Sequence, residues 1–187
     1  MSIRQYCNRM LLCTMLSCIA LSPASSRDWK ATPEAIAMNY ATIQDNRGKG
    51  ELVVLIWFVP QMAAPGSNGA GIVSAMLDKY VVITVVHGRL VPATGGMSFD
   101  DIATLAANDQ DDNPLTLVPK DSLPPVNIAM LASLEALFRQ SLGPMGSGMK
   151  TFIFDTGALH SCKKGRLSVP FAGETYTWDT PIPGCPS

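Results

Sequence analysis

Beyond residue 26 the chain has two cysteines, two histidines, no excess of positive charge and no apolar run of membrane-spanning length. A spanning helix needs roughly 20 apolar residues, so no later segment is expected to cross a bilayer. His87 and His160 are the only imidazoles, and no C-x-x-C spacing occurs, which leaves too few ligands for a Cys/His metal centre. No G-x-S-x-G is present, and "GSNGAG" has neither the Lys-Ser/Thr of a phosphate loop nor the G-x-G-x-x-G order; a nucleophile elbow and a nucleotide cradle therefore lack their defining residues.

What is there begins with the first 26 residues. Arg4 and Arg9 precede an apolar run from Met10 to Leu21, followed by the small residues Ser22-Pro23-Ala24-Ser25-Ser26. That is the order of an export signal, with cleavage expected after Ala24 or Ser26. Met15-Leu16-Ser17-Cys18 also loosely resembles a lipobox, which would make Cys18 a lipidation site. Removing residues 1–26 leaves 161 residues, the size of a single domain with a proper core. Lys plus Arg then falls from 14 to 12 against 15 Asp plus Glu, a net charge near −3. Such a balance gives no electrostatic reason to bind nucleic acid or acidic lipid.

Cys7, Cys13 and Cys18 all lie in the signal, and only Cys162 and Cys185 remain. Two cysteines in an exported domain are expected to pair. Closing a loop of about 24 residues contributes on the order of 3 kcal/mol in the chain-entropy description. The competing reading takes His160-Ser161-Cys162 as part of a metal site.

Apolar patterning organises the rest. Ala35 to Gln44 is ambiguous between helix and strand, and the turn-rich "DNRGKG" that follows favours a strand entering a hairpin. "ELVVLIWFVP" and "YVVITVVHGRLVP" are β-branched and apolar on both faces, as covered central strands are. The second is expected to end at Gly88, with a helical turn near Ser74–Lys79 before it and a loop at 94–98 after it. Strands are expected at Ile102–Ala107 and Leu115–Val118, at "MKTFIFD", and in a hairpin of "LSVPF" and "ETYTWD" about Ala172-Gly173. One long helix is expected over 126–142, with Ile128, Leu131, Leu134, Phe138 and Leu142 on one face and Gly143-Pro144 as its stop. These elements add up to a mainly β chain, an immunoglobulin-like β-sandwich of about seven strands with one inserted helix.

Phe152-Ile153-Phe154-Asp155-Thr156-Gly157-Ala158 resembles the active-site signature of aspartic proteases. The resemblance implies a carboxylate that shares a proton with a second one and activates water. It covers about six residues, and the 30 residues after Gly157 hold neither the flap hairpin nor the apolar-apolar-Gly strand of that family. Asp-Thr-Gly is equally a strand-ending turn, with glycine taking positive φ. "VVITVVHGRL" resembles the strand and His-Gly turn of α/β-hydrolases, but without their serine elbow. Asp155, His160 and His87 are thus the candidate groups of a hydrolase.

"NDQDDNPLT" gathers Asp109, Asp111, Asp112 and Asn113, hard oxygen ligands of the kind calcium takes, in a pattern that an acidic hairpin turn also explains. Met62, Met97, Met145 and Met149 are read as loop residues; copper(I) binding by thioethers would need a Met-x-x-Met that is absent. Lys163, Lys164 and Arg166 form a small basic patch. Tyr176 and Trp178, two apart on one strand, suit a binding face if exposed and a core if buried. No cofactor is expected. The reading reached from the residues is an exported, periplasmic or secreted, non-enzymatic domain that binds a protein or envelope component, by an edge strand among other means. The alternatives are the Asp155/His160 hydrolase and a metal-ion or small-ligand carrier.

Overall fold

The computed structural model describes residues 40–46, 50–62 and 70–185. The signal segment with Cys7, Cys13 and Cys18, residues 35–39, and most of the "GSNGAG" loop lie outside the described residues. Among the described residues there are seven strands, β1 (Ala41–Asn46), β2 (Glu51–Phe58), β3 (Tyr80–Val91), β4 (Gly96–Phe99), β5 (Lys150–Asp155), β6 (Gly165–Phe171) and β7 (Glu174–Thr180). The helices α1 (Ala70–Lys79) and α2 (Pro125–Leu142) accompany them among the described residues. The fold is mainly β with antiparallel sheets.

Five strands form one sheet in the order β1-β2-β3-β4, and β5 also pairs with β3; β6 and β7 form a separate hairpin. β3 serves both β5 and β4 because it is 12 residues long. Tyr80–Val85 pair with β5, and Gly88–Val91 pair with β4. The sheet alternates strictly, so odd-numbered residues of β2 and β3 face one way and even-numbered ones the other. Val53, Leu55, Trp57, Val81, Ile83 and Val85 pack against Leu167, Val169, Tyr176 and Trp178 of the hairpin. Val54, Ile56, Phe58, Val82 and Val86 pack against Met76 and Leu77 of α1 and Leu131 of α2. The two all-apolar runs are therefore covered central strands, with a hairpin on one side and helices on the other.

This layering meets the expected sandwich only in part. The strands divide five and two, and the second face of the large sheet carries helices. Further differences have local causes. Residues 94–98, expected as a loop, contain β4, because β3 runs on past Gly88 and turns at Gly95 (φ 69°) to pair with it. The expected helical turn near 74–79 is a ten-residue helix. Ile102–Ala107 and Leu115–Val118 are not strands; isolated bridges join Asn108, just after the first, to Ser168 and Leu117 of the second to Phe154. They nonetheless cover strand edges. Asn108 and Ser168 exchange backbone hydrogen bonds (2.8 and 3.0 Å) along β6, while Val118 donates to Ile153 and Asp155 donates to Thr116 along β5.

In α2 the inward stripe runs through half-buried Met130, buried Leu131 and half-buried Leu134 and Glu135, and Ile128 is 41% exposed. The stripe is rotated from the expected one because Glu135 faces inward, where Lys120 meets it. The side chains of Phe138 and Leu142 lie outside the described residues. At the β6–β7 turn, Ala172 and Gly173 both take positive φ (50° and 82°), the pairing that a two-residue hairpin requires. Cys162 and Cys185 are joined, with Cα atoms 5.3 Å apart, tying residues 181–185 to the body.

Candidate functional site

Of the hydrolase candidates, His87 stands apart from Asp155, whereas His160 lines a small pocket with Thr156, Leu159, Tyr80 and Asp78. Asp155 is exposed at the end of β5, and its partner across the sheet is Tyr80. His87 lies seven residues further along the same β3, which at ~3.3 Å per residue places it roughly 23 Å away. The turn after Asp155 is closed by Leu159 donating to the Thr156 carbonyl (2.9 Å), with Gly157 at φ 55°. His160 uses Nδ1 to accept the Cys162 amide (3.0 Å).

His87 is buried, and both of its nitrogens are engaged: Nε2 lies 2.6 Å from Glu51 Oε1 and Nδ1 lies 2.9 Å from Asp100 Oδ2. Arg89 donates to the same Asp100 oxygen (2.9 Å), and the Phe171 ring meets the imidazole edge-on at 5.5 Å. An imidazole held on both sides fastens β2, β3 and the end of β4 together, and both of its nitrogens already face carboxylates of the protein. Neither Glu51 nor Asp100 carries a sequence signal, because only the strand register brings them to His87.

The acidic turn is satisfied internally. Asp109 accepts the backbone amides of Asp111 and Asn113 (both 2.9 Å) and the Asn113 side chain (3.3 Å). Burial raises its pKa, and the three hydrogen bonds outweigh that, holding the carboxyl below its ordinary range. Among the described residues no group of three His, Cys, Asp or Glu side chains is placed to hold a metal ion. Met149 is buried, and Met62 and Met145 pack against the core. Lys163 and Lys164 are exposed, and Arg166 donates to Asp179 Oδ1 (2.8 Å). Tyr176 and Trp178 are core residues: Trp178 meets Trp57 edge-on at 6.3 Å, and the Tyr176 hydroxyl donates to Gln44. Burial, then the nearby Glu174 and Glu51 charges, push the Tyr176 phenol up.

A cleft of about 450 Å³ between α2 and β5 is lined by Lys120, Glu135, Arg139 and Lys150. Its charges answer one another: Lys120 and Arg139 sit on Glu135, and Lys150 sits on Asp101.

The remaining feature is an edge. Trp57 donates to the Tyr40 carbonyl (2.9 Å), so Tyr40 and Trp57 form a hydrogen-bonded pair. Counting along the register, Thr42 opposite Leu55 and Gln44 opposite Val53 also bond to β2. Antiparallel pairs alternate, so Ala41, Ile43 and Asp45 turn their N–H and C=O groups away from the sheet. Among the described residues nothing pairs with them, whereas the edges of β5 and β6 are covered. The strand carries no proline and no lysine, the usual guards of an open edge, and Ile43 is 59% exposed. Beside it, Ala41 and Thr42 of β1 face Thr177, Trp178 and Asp179 of β7 across a groove of about 260 Å³ floored by Ile182 and Pro183. The Tyr40 hydroxyl donates to the Pro183 carbonyl (2.6 Å), closing one end. Comparison with known protein families, curated proteins and solved structures finds no match to this chain.

Proposed function

We propose that this chain is an exported, non-enzymatic binding domain that pairs the outer edge of β1 with an extended segment of a periplasmic or secreted protein. The observation that carries the reading is the row of outward backbone groups at Ala41, Ile43 and Asp45. An extended segment adds there as a sixth strand, with main-chain hydrogen bonds giving affinity and side-chain pockets giving selectivity. The hairpin layered on the large sheet is the immunoglobulin-like element of this reading, a rigid support for the edge. The Cys162–Cys185 disulfide fits an oxidising compartment, and no described helix is long and apolar enough to cross a membrane.

The test uses tagged residues 27–187 on envelope extract from the source cells, comparing the native domain with Ile43→Pro. Proline at 43 removes an outward donor and leaves the β2 ladder intact, the one way an edge strand accepts proline. A stoichiometric partner retained by the native domain and lost by the variant, with melting temperature held, supports the reading. A partner retained equally by both overturns it.

A further inference from the structure

The two sulfurs of the Cys162–Cys185 bridge sit in unlike surroundings. We infer that Cys185 is the residue on which a small thiol forms a mixed disulfide with this domain, Cys162 being released as the thiolate.

Gln61 Nε2 donates to Cys162 Sγ at 2.9 Å and to Cys185 Sγ at 3.2 Å. The amide keeps that aim although Gln61 Oε1 is then buried without a partner among the described residues. The Ser161 hydroxyl, 3.9 Å from Cys162 Sγ, adds a second and weaker donor on that side. Cys185 Sγ instead faces the Ser161 carbonyl oxygen at 3.5 Å. N–H and O–H donors stabilise a thiolate, whereas a carbonyl oxygen repels one and accepts from a thiol. Lys163 and Lys164, directly after Cys162 and exposed, add positive charge beside the same sulfur. Both cysteines are half-buried, so neither is sealed from solvent and access does not choose between them.

Exchange runs faster when the departing sulfur is the better-stabilised thiolate. An incoming thiolate therefore bonds to Cys185 Sγ, the bond between the two cysteines breaks, and its electron pair leaves on Cys162 Sγ, where Gln61 holds it. A second thiolate then attacks the small thiol's sulfur in the adduct, freeing Cys185 and leaving as the small molecule's own disulfide. In sum two thiols are oxidised, and the bridge takes up two electrons and two protons. The first step already loosens residues 181–185, which keep the Ile182 amide on the Ser161 carbonyl and the Pro183 carbonyl on the Tyr40 hydroxyl but lose their covalent tie.

The experiment exposes folded residues 27–187 briefly to reduced glutathione at mildly alkaline pH, quenches with acid, alkylates the free thiols with N-ethylmaleimide and locates both groups by peptide mass spectrometry. The expected result is glutathione on Cys185 with maleimide on Cys162, in at least about five-fold excess over the reverse pair. Gln61→Leu should form the adduct about three- to ten-fold more slowly, because the departing thiolate loses a charge-assisted hydrogen bond that is partly developed in the transition state. A merely structural role for Gln61 gives the opposite sign, since a loosened bridge opens faster. Equal labelling of the two cysteines, an excess of glutathione on Cys162, or no adduct on the folded domain overturns the inference. A Gln61→Leu variant that reacts at the native rate or faster overturns the assignment of Cys162 as the sulfur that Gln61 holds. The partition in the native domain needs no substitution, so it decides the matter whether or not the variant folds.

Discussion

Replacing Cys162 and Cys185 together by serine is expected to destabilise the domain by about 3 kcal/mol. The two residues are 23 apart, and the chain-entropy relation for a loop of that length gives about 3.4 kcal/mol at 25 °C. For a domain of this size each kcal/mol moves the melting temperature by ~2–4 °C, so the double variant should melt about 7–14 °C lower. The loss is more than entropic bookkeeping for a distant loop. The bridge holds residues 181–185, which bury Ile182 in the hairpin-side core, donate the Ile182 amide to Ser161 (3.0 Å) and present the Pro183 carbonyl to Tyr40. Gln61 also loses its contacts, since its Nε2 donates to both sulfurs (2.9 and 3.2 Å). Thermal unfolding by circular dichroism, native against double variant and native with and without reductant, measures it. A shift below about 2 °C in both comparisons would refute the claim that the bridge anchors the tail.

Trp178→Ala should cost about 3–5 kcal/mol in denaturant unfolding, because it removes a buried ring packed edge-on against Trp57; a cost under about 1 kcal/mol would mean that the hairpin does not share a core with the large sheet. Glu135 titrates below its ordinary value: burial raises it, but hydrogen bonds from Lys120 and Thr151 and the charges of Lys120 and Arg139 outweigh that. A lowered folded pKa stabilises above the unfolded value near ~4.3 and is lost as pH falls through the folded one. Glu135→Gln should therefore lower stability at pH 7 by less than about 1 kcal/mol after solvent screening, and the gap to the native protein should close between pH 5 and pH 3. A gap that stays constant across that range would show that the Glu135 charge is not what Lys120 and Arg139 stabilise.

Much of the scaffold was legible because it is written in local patterns. β2 and β3 are apolar on both faces, and each face found its own layer. The helix of residues 125–142 has a Pro-Pro start and a Gly-Pro stop, and the Ala172-Gly173 turn has a glycine at one of its two positive-φ positions. Residues 102–107 and 115–118 misled because an apolar segment that covers a strand edge by single bridges has the composition of a strand without its ladder. β4 was hidden because Gly95 and Gly96 at its start read as a loop, and only the length of β3 lets it pair there. The Glu51–His87–Asp100 cluster was illegible for a different reason: its members come from three elements, and only their register brings them together. The same holds for the β1 edge. Which of its amides face outward is a parity question, and no residue type in "ATIQDN" answers it.

Residue-resolved hydrogen exchange on β1 tests that parity directly. In the isolated domain the Thr42 and Gln44 amides, bonded to β2, should exchange slowly, and the Ile43 and Asp45 amides should exchange at nearly the rate of an unstructured chain. On saturation with a partner strand, the Ile43 amide should gain protection to the level of Gln44. Slow exchange at Ile43 in the isolated domain, or fast exchange at Ile43 with the partner bound, would contradict the account, because the edge would then be covered from the start or would not be where the partner docks.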